Sequence, residues 1–176
     1  GGRGKAGGIK FAEHPLDAEI VANELLGMEI KNLRVGKVLV EEKLNIEKEY
    51  YAGVIIDASR EVRAPAVMFS TEGGMDIESV PSEKIAQMNV DVLRGFRLYD
   101  ALNLCVKLKV PTQVLPSIAQ AIMGLYQTFK GYNCRTAEIN PLVLTKDGKI
   151  LAADCRIAID DSSVFRHPEL GIDVAR

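Results

Sequence analysis

The stretch from Glu138 to Arg156 most constrains what this chain can fold into, because two apolar, β-branched runs flank Lys146-Asp147-Gly148. That is the pattern of a β-hairpin, and Gly148 suits the left-handed position closing a three-residue loop. Such a loop pairs Thr145 with Lys149, and counting outward sets Asn140 opposite Asp154. Side chains alternate with period two, so Glu138, Asn140 and Asp154 share one face with Arg156 beside them. Leu142, Leu144, Ile150 and Ala152 are expected to continue that face toward the loop. Two carboxylates and an amide oxygen on a rigid hairpin suit a hard cation such as Mg²⁺, whose shell is completed by water and phosphate oxygens. The same residues also suit a polar hairpin end in which Glu138 simply pairs with Arg156. A two-residue loop would slip the register by one and put Asn140 and Asp154 on opposite faces.

With 176 residues, 47% of them apolar and 26% charged, the chain is long enough for a real core, as one domain or two small lobes. Its net charge of -2 and the lack of a Lys/Arg block give no reason to expect nucleic acid. No apolar run approaches the roughly 18 residues of a membrane span, and no secretory n- and h-regions are visible. The three cysteines, Cys105, Cys134 and Cys155, form no C-x-x-C pair, which fits a reducing compartment and thiols without a catalytic role.

Residues 1–8 are glycine-rich with Arg3 and Lys5, a composition suited to phosphate oxygens through bare N–H groups and cations. On sequence alone it suits a linker or tag remnant slightly better, since the Gly-Lys-Ser/Thr ending of a P-loop is missing. Pro15 to Leu26 reads as a helix, opened by Pro15, closed by Gly27, with Leu16, Ile20, Val21 and Leu25 as its buried stripe. Lys37–Glu41, Glu47–Asp57 and Ala64–Phe69 read as strands. Glu41 and Glu49 stand at strand ends and, on composition alone, read as surface acids. Ser70-Thr71-Glu72-Gly73-Gly74 is a turn with a paired glycine, followed by acidic Asp76 and Glu78; it suits a ligand loop, though turns of this composition are common. Ser82 is expected to cap a short helix through Met88. Helices are then expected over Phe96–Leu108 and Thr112–Lys130, the second burying Val114, Ile118, Ala121, Ile122, Leu125 and Phe129. The tail 160–168 reads as a polar loop, in which His167 has no partner identifiable from sequence.

Six of these stretches occur in the order found in one family. They are Gly-Gly-Arg-Gly-Lys-Ala-Gly-Gly at 1–8, Leu-Val-Glu at 39–41 and Lys-Glu-Tyr-Tyr at 48–51, then Ser-Thr-Glu-Gly-Gly at 70–74, Glu-Ile-Asn-Pro-Leu at 138–142 and Phe-Arg-His-Pro-Glu-Leu at 165–170. Over nearly its whole length the chain resembles the ATP-grasp region of succinate–CoA ligase (succinyl-CoA synthetase) β subunits. The resemblance implies an α+β, ATP-grasp fold of two lobes. Residues 1–43 would be the remnant of the smaller lobe with the glycine loop, and 44–176 the larger lobe with the metal-binding hairpin. The C-terminal CoA-ligase domain and a nucleotide-binding lysine upstream would both lie outside this chain.

By position, Gly2, Arg3 and Gly4 resemble the family's nucleotide-contacting loop, Glu41 the acid near adenine, and Glu49 a second nucleotide-side acid. Asn140 and Asp154 match the Mg²⁺-binding positions. Arg156 stands where the family usually has Lys, and a planar fork is not a point charge. The implied cofactors are Mg²⁺ and ATP/ADP. The implied reaction converts ATP, succinate and CoA to ADP, phosphate and succinyl-CoA through a phosphohistidine on a partner α subunit; neither His14 nor His167 is that histidine. The fragment alone is expected to be inactive, and the setting cytoplasmic, or the mitochondrial matrix in a eukaryote. Competing readings are another acyl-CoA ligase, using malate or acetate, and a non-catalytic module that keeps the fold.

Overall fold

The computed structural model describes residues 7–30, 32–59 and 63–173. The chain divides into two compact units, Gly1–Asn45 and Ile46–Arg176. The first holds helix α1 (Pro15–Leu25) and an antiparallel pair, β1 (Glu29–Ile30) and β2 (Leu33–Arg34). Pro15 opens the helix and Gly27, at φ 86°, follows its end, as the sequence predicts. The expected buried stripe is not buried, however. Leu25 is covered, but Leu16 is 75% and Ile20 58% exposed. A unit with two-residue strands has little to lay on that face. The strand expected over Lys37–Glu41 is also absent; the segment has no regular secondary structure and is exposed except at half-buried Val38, and no strand among the described residues pairs with it. Side chains still meet locally in this unit, Lys10 with Glu24 and Lys43 over the Phe11 ring at 4.8 Å.

The second unit is built on a six-stranded antiparallel sheet ordered β5-β4-β3-β6-β7, with β8 also pairing β6. Its strands are β3 (Ile46–Asp57), β4 (Ala64–Ser70), β5 (Ile85–Asn89), β6 (Cys134–Thr145), β7 (Ile150–Ala152) and β8 (Cys155–Ile159). The predicted helix from Ser82 to Met88 is instead one 3₁₀ turn, Ser82–Lys84, followed by β5. Pairing of Ala86 with Phe69 and of Met88 with Val67 overrides the local capping signal.

Helices α2 (Leu98–Lys107) and α3 (Leu115–Gly131) cover one side of the sheet. On α3, Ile118, Ala119, Ile122, Leu125, Tyr126 and Phe129 are buried, the i, i+4, i+7 stripe of an amphipathic helix. They meet Tyr50, Ala52, Val54, Val67, Phe69, Ala137, Ile139, Leu142 and Leu144 from the strands. Asp100, buried in the first turn of α2, accepts from the Arg97 backbone N–H at 2.9 Å and pairs with Arg94 Nη2 at 2.5 Å. Both oxygens are therefore satisfied, which a buried carboxylate requires.

Two core groups generate tests. The Tyr50 hydroxyl is buried without a hydrogen-bond partner, while its ring stacks on Phe69 at 5.9 Å. Because the hydroxyl is already unsatisfied, Tyr50→Phe is expected to change stability by no more than about 1 kcal/mol, whereas Phe69→Ala should cost roughly 3–5 kcal/mol, both read from denaturant unfolding. Burial also pushes the Cys105 thiol from its ordinary 9.0 up to about 12. The folded chain thus keeps a proton that the unfolded chain releases, so this contribution is complete below pH 9 and is lost as pH rises toward 12. Unfolding free energy measured across that window should fall with pH, and less steeply in Cys105→Ala.

Candidate functional site

The hairpin forms with the predicted three-residue loop. Thr145 N–H donates to the Lys149 carbonyl at 2.9 Å, Gly148 N–H returns to the Thr145 carbonyl at 2.9 Å, and Gly148 has φ 82°. Beyond β7 the count is maintained. Asn140 N–H donates to the Asp154 carbonyl at 3.0 Å, and Glu138 pairs with Arg156. The structure therefore sets Asn140 opposite Asp154, as the three-residue loop requires.

One part of the face assignment is wrong. Tyr50 pairs with Leu142 but Ala52 pairs with Ile139, so β6 carries one residue more than β3 between these pairs. Such a bulge reverses the alternation of side chains along the strand. The Asn140–Pro141 bond, which is cis, lies inside it. Leu142 and Leu144 therefore join the helix-covered core together with Ala137 and Ile139. Glu138 and Asn140 face the other way. Ile150 and Ala152, paired with Leu144 and Leu142, follow the core face and not that of Asn140.

The sheet face opposite α2 and α3 collects the chemistry. Glu49 pairs with Val143, and Glu49, Tyr51 and Gly53 alternate along β3 on the side that Glu138 and Asn140 share. The Tyr51 hydroxyl donates to Glu138 Oε2 at 3.4 Å, and Arg156 Nη1 stands 3.9 Å from Glu138 Oε1. Burial first, and the Glu138 carboxylate second, push the Tyr51 phenol well above its ordinary range, so it stays a donor. Its ring lies along the strand over Gly53, where a β-carbon would stand 2.3 Å from the Tyr51 hydroxyl. Asn140 Oδ1 accepts from Gly74 N–H at 2.8 Å, and Asn140 Nδ2 donates to the Met75 carbonyl at 2.8 Å. Asp154 is exposed, and its Oδ1 accepts from the Cys155 N–H at 3.0 Å.

Of the residues singled out in the sequence, Glu49, Glu138, Asn140, Asp154 and Arg156 thus belong to one sheet. Glu41 lies in the first unit, exposed in a segment without regular secondary structure. Gly2, Arg3 and Gly4 lie outside the described residues. Tyr51 and the Met75 carbonyl are site components that sequence reasoning missed, whereas the turn holding Gly74 had a ligand-loop reading. The paired glycines and Gly53 were the available signals, but what they approach is fixed only by long-range contacts. His167, unassigned from sequence, places Nε2 3.0 Å from Asn133 Oδ1 and Nδ1 3.4 Å from Glu169.

The donor set fits a hard cation. Asn140 Oδ1 has a second lone pair beyond the one given to Gly74, and the Asp154 carboxylate stands across the hairpin. Among the described residues, no group of three or more His, Cys, Asp or Glu forms a ready metal cage. Mg²⁺ typically uses one or two carboxylates and fills its shell with water and substrate phosphates.

Among the described residues, no helix is long and apolar enough to cross a membrane. Cys105 and Cys134 are buried and Cys155 exposed, all unpaired. One thiol per native chain should therefore label rapidly with an aromatic disulfide reagent and the other two after denaturation. A Cys155→Ser variant that still labels one thiol rapidly would contradict this placement.

Residues 1–144 match the family model described as the ATP-grasp domain. The GDP-forming succinate–CoA ligase β subunit of Thermus thermophilus is 45% identical over 173 residues, 97% of this chain and 45% of that protein. The ADP-forming succinate–CoA ligase β subunit of Methanocaldococcus jannaschii is 46% identical over 170 residues, 95% of this chain and 46% of that protein. The chain spans about half the length of the curated relatives it matches. ATP citrate lyase from Methanothrix soehngenii, solved with citrate and coenzyme A, superposes with a TM-score of 0.66 at 21% identity, covering 92% of this chain and 37% of that one. At that identity the likeness concerns the fold alone.

Proposed function

The chain belongs to the ATP-grasp domain family, and from that premise we propose that it is the nucleotide-gripping region of a succinate–CoA ligase β subunit. The observation that carries this reading is the placement of Asn140 opposite Asp154 on the sheet face away from α2 and α3, next to Glu138. Asn140 Oδ1 and the Asp154 carboxylate would hold Mg²⁺. The bound ion would neutralise charge on the nucleotide phosphates. Other steps fall to the chain's own residues. Gly2, Arg3 and Gly4 would bind phosphate oxygens through backbone N–H groups and a guanidinium. Glu41 would meet the adenine side of the nucleotide, and Glu49 would act as a second nucleotide-side acid. Arg156, facing Glu138 across β6 and β8, would orient that carboxylate.

Phosphoryl transfer needs positioning and charge neutralisation more than covalent participation by the protein, and this set of groups supplies both. In the complete enzyme the reaction would be ATP, succinate and CoA giving ADP, phosphate and succinyl-CoA. The phosphoryl group would pass through a histidine of a partner α subunit. A cytoplasmic setting belongs to the same reading.

Calorimetric titration with Mg²⁺ and ADP tests it. The chain is expected to bind, and Asp154→Ala to bind at least about tenfold more weakly, a scale reached even by residues that only support a metal ligand. Equal affinity of the two, or affinity indifferent to Mg²⁺, would overturn the assignment. With the acceptor histidine on another subunit, the chain alone is expected to form no succinyl-CoA; product formation without an α subunit would remove that part of the proposal.

A further inference from the structure

We infer that the loop from Thr71 to Met75 is a positioning element, which fixes the amide of Asn140 with its oxygen available to a cation and seats Glu49 beside it. This role rests on the nucleotide reading above and deepens it. An asparagine amide has two near-equivalent orientations, one presenting oxygen and the other an NH₂ group that no cation accepts. Here both ends are held. Gly74 N–H donates to Oδ1 and Nδ2 donates to the Met75 carbonyl, each at 2.8 Å. Turning the amide over would face NH₂ to N–H and oxygen to carbonyl, exchanging two hydrogen bonds for two repulsive contacts. Oδ1 keeps its second lone pair in the held orientation.

Reaching Asn140 requires glycine. The loop leaves β4 at Ser70, which pairs with Tyr51, and β3 lies between β4 and β6 in the sheet. The chain therefore crosses β3 to reach β6. At the crossing, a β-carbon on Gly73 would stand 2.3 Å from the Tyr50 carbonyl oxygen and 2.7 Å from its nitrogen. Gly74 has φ 72°, and a β-carbon there would stand 2.1 Å from Glu49 Oε2. Gly74 thus touches two residues singled out separately in the sequence, Glu49 through its α-carbon side and Asn140 through its N–H. The start of the loop is anchored as well: buried Ser70 accepts the Glu72 N–H at 3.0 Å, and Glu72 pairs with Lys84 at 2.7 Å. The Ser-Thr-Glu-Gly-Gly stretch, which in sequence suits either a common turn or a ligand loop, is in this account built around the site.

Two measurements on the 176-residue chain test the role. The first is Mn²⁺ affinity in the presence of ADP, followed by electron paramagnetic resonance. Gly74→Ala is expected to bind Mn²⁺ at least about tenfold more weakly than the parent chain, the usual effect of losing a group that supports a metal ligand. Its melting transition should remain cooperative. The second needs no metal and holds even where Gly74→Ala does not fold. Hydrogen exchange at the Gly74 amide is expected to be protected in the chain and to accelerate in Asn140→Ala. Unchanged Mn²⁺ affinity in folded Gly74→Ala would overturn the positioning role and leave the nucleotide reading intact. A Gly74 amide that exchanges at the free-peptide rate would do the same. A parent chain that protects Gly74 yet binds no Mn²⁺ with ADP would overturn the nucleotide reading itself, and the positioning role with it.

Discussion

The second unit depends on one extra residue in β6. This strand lies between β3 on one side and β7 and β8 on the other, and it has two incompatible duties. Toward the loop it supplies Leu142 and Leu144 to the core under α2 and α3; toward its start it supplies Ala137 and Ile139. Strict alternation from Leu142 would turn Glu138 and Asn140 into that same core. Burying an uncompensated carboxylate there would cost several kcal/mol. The bulge at Asn140 and Pro141 reverses the alternation, so apolar residues point to the helices on both sides of it while the polar pair points away. The hairpin partner keeps step, with Ala152 opposite Leu142 and Cys155 opposite Ile139, which keeps Asp154 with Asn140.

The consequences spread across the sheet. β3 runs past the bulge with Tyr50 on the core side and Tyr51 on the other. The two adjacent tyrosines therefore serve different chemistry. Tyr50 stacks on Phe69 inside the core, and its hydroxyl has nothing to bond. Tyr51 lies over Gly53 and aims its hydroxyl at Glu138. A phenol held protonated beside a carboxylate donates to it across the neutral range. With Arg156 facing the other oxygen, Glu138 is addressed from both sides.

Much of this was legible in the sequence, for reasons that are local. Gly148 and a three-residue loop fix the hairpin register, and that register alone brings Asn140 to Asp154. Helix α3 follows from its 3.6-residue apolar period, and α1 from Pro15 and Gly27. What was not legible depends on distant partners. The Leu142 face reverses because of how β6 pairs with β3, which no window of sequence contains. Ser82–Met88 carries a capping residue, yet β4 recruits its end as a strand. Lys37–Glu41 has strand composition, but a strand requires a neighbour to receive its backbone bonds. Leu16 and Ile20 have helical spacing, but spacing does not supply the surface that would cover them. The amphipathic signal predicts a helix more securely than it predicts burial.

The clasp on Asn140 also explains why an amide, and not a third carboxylate, suits the centre of this site. Glu49, Glu138 and Asp154 already bring three acids to one face of the unit, with Arg156 set against one of them. A carboxylate at position 140 would add like charge among them, which raises the energy of every ionised neighbour. It would also lose the donor that meets the Met75 carbonyl, leaving that oxygen facing another. On the proposed reading the amide would offer a cation an uncharged oxygen, while its NH₂ donates to the Met75 carbonyl and holds that oxygen's orientation. One residue thereby ties the Thr71–Met75 loop, the hairpin and the acidic face together. The bulge that turns it away from the core makes all three contacts available.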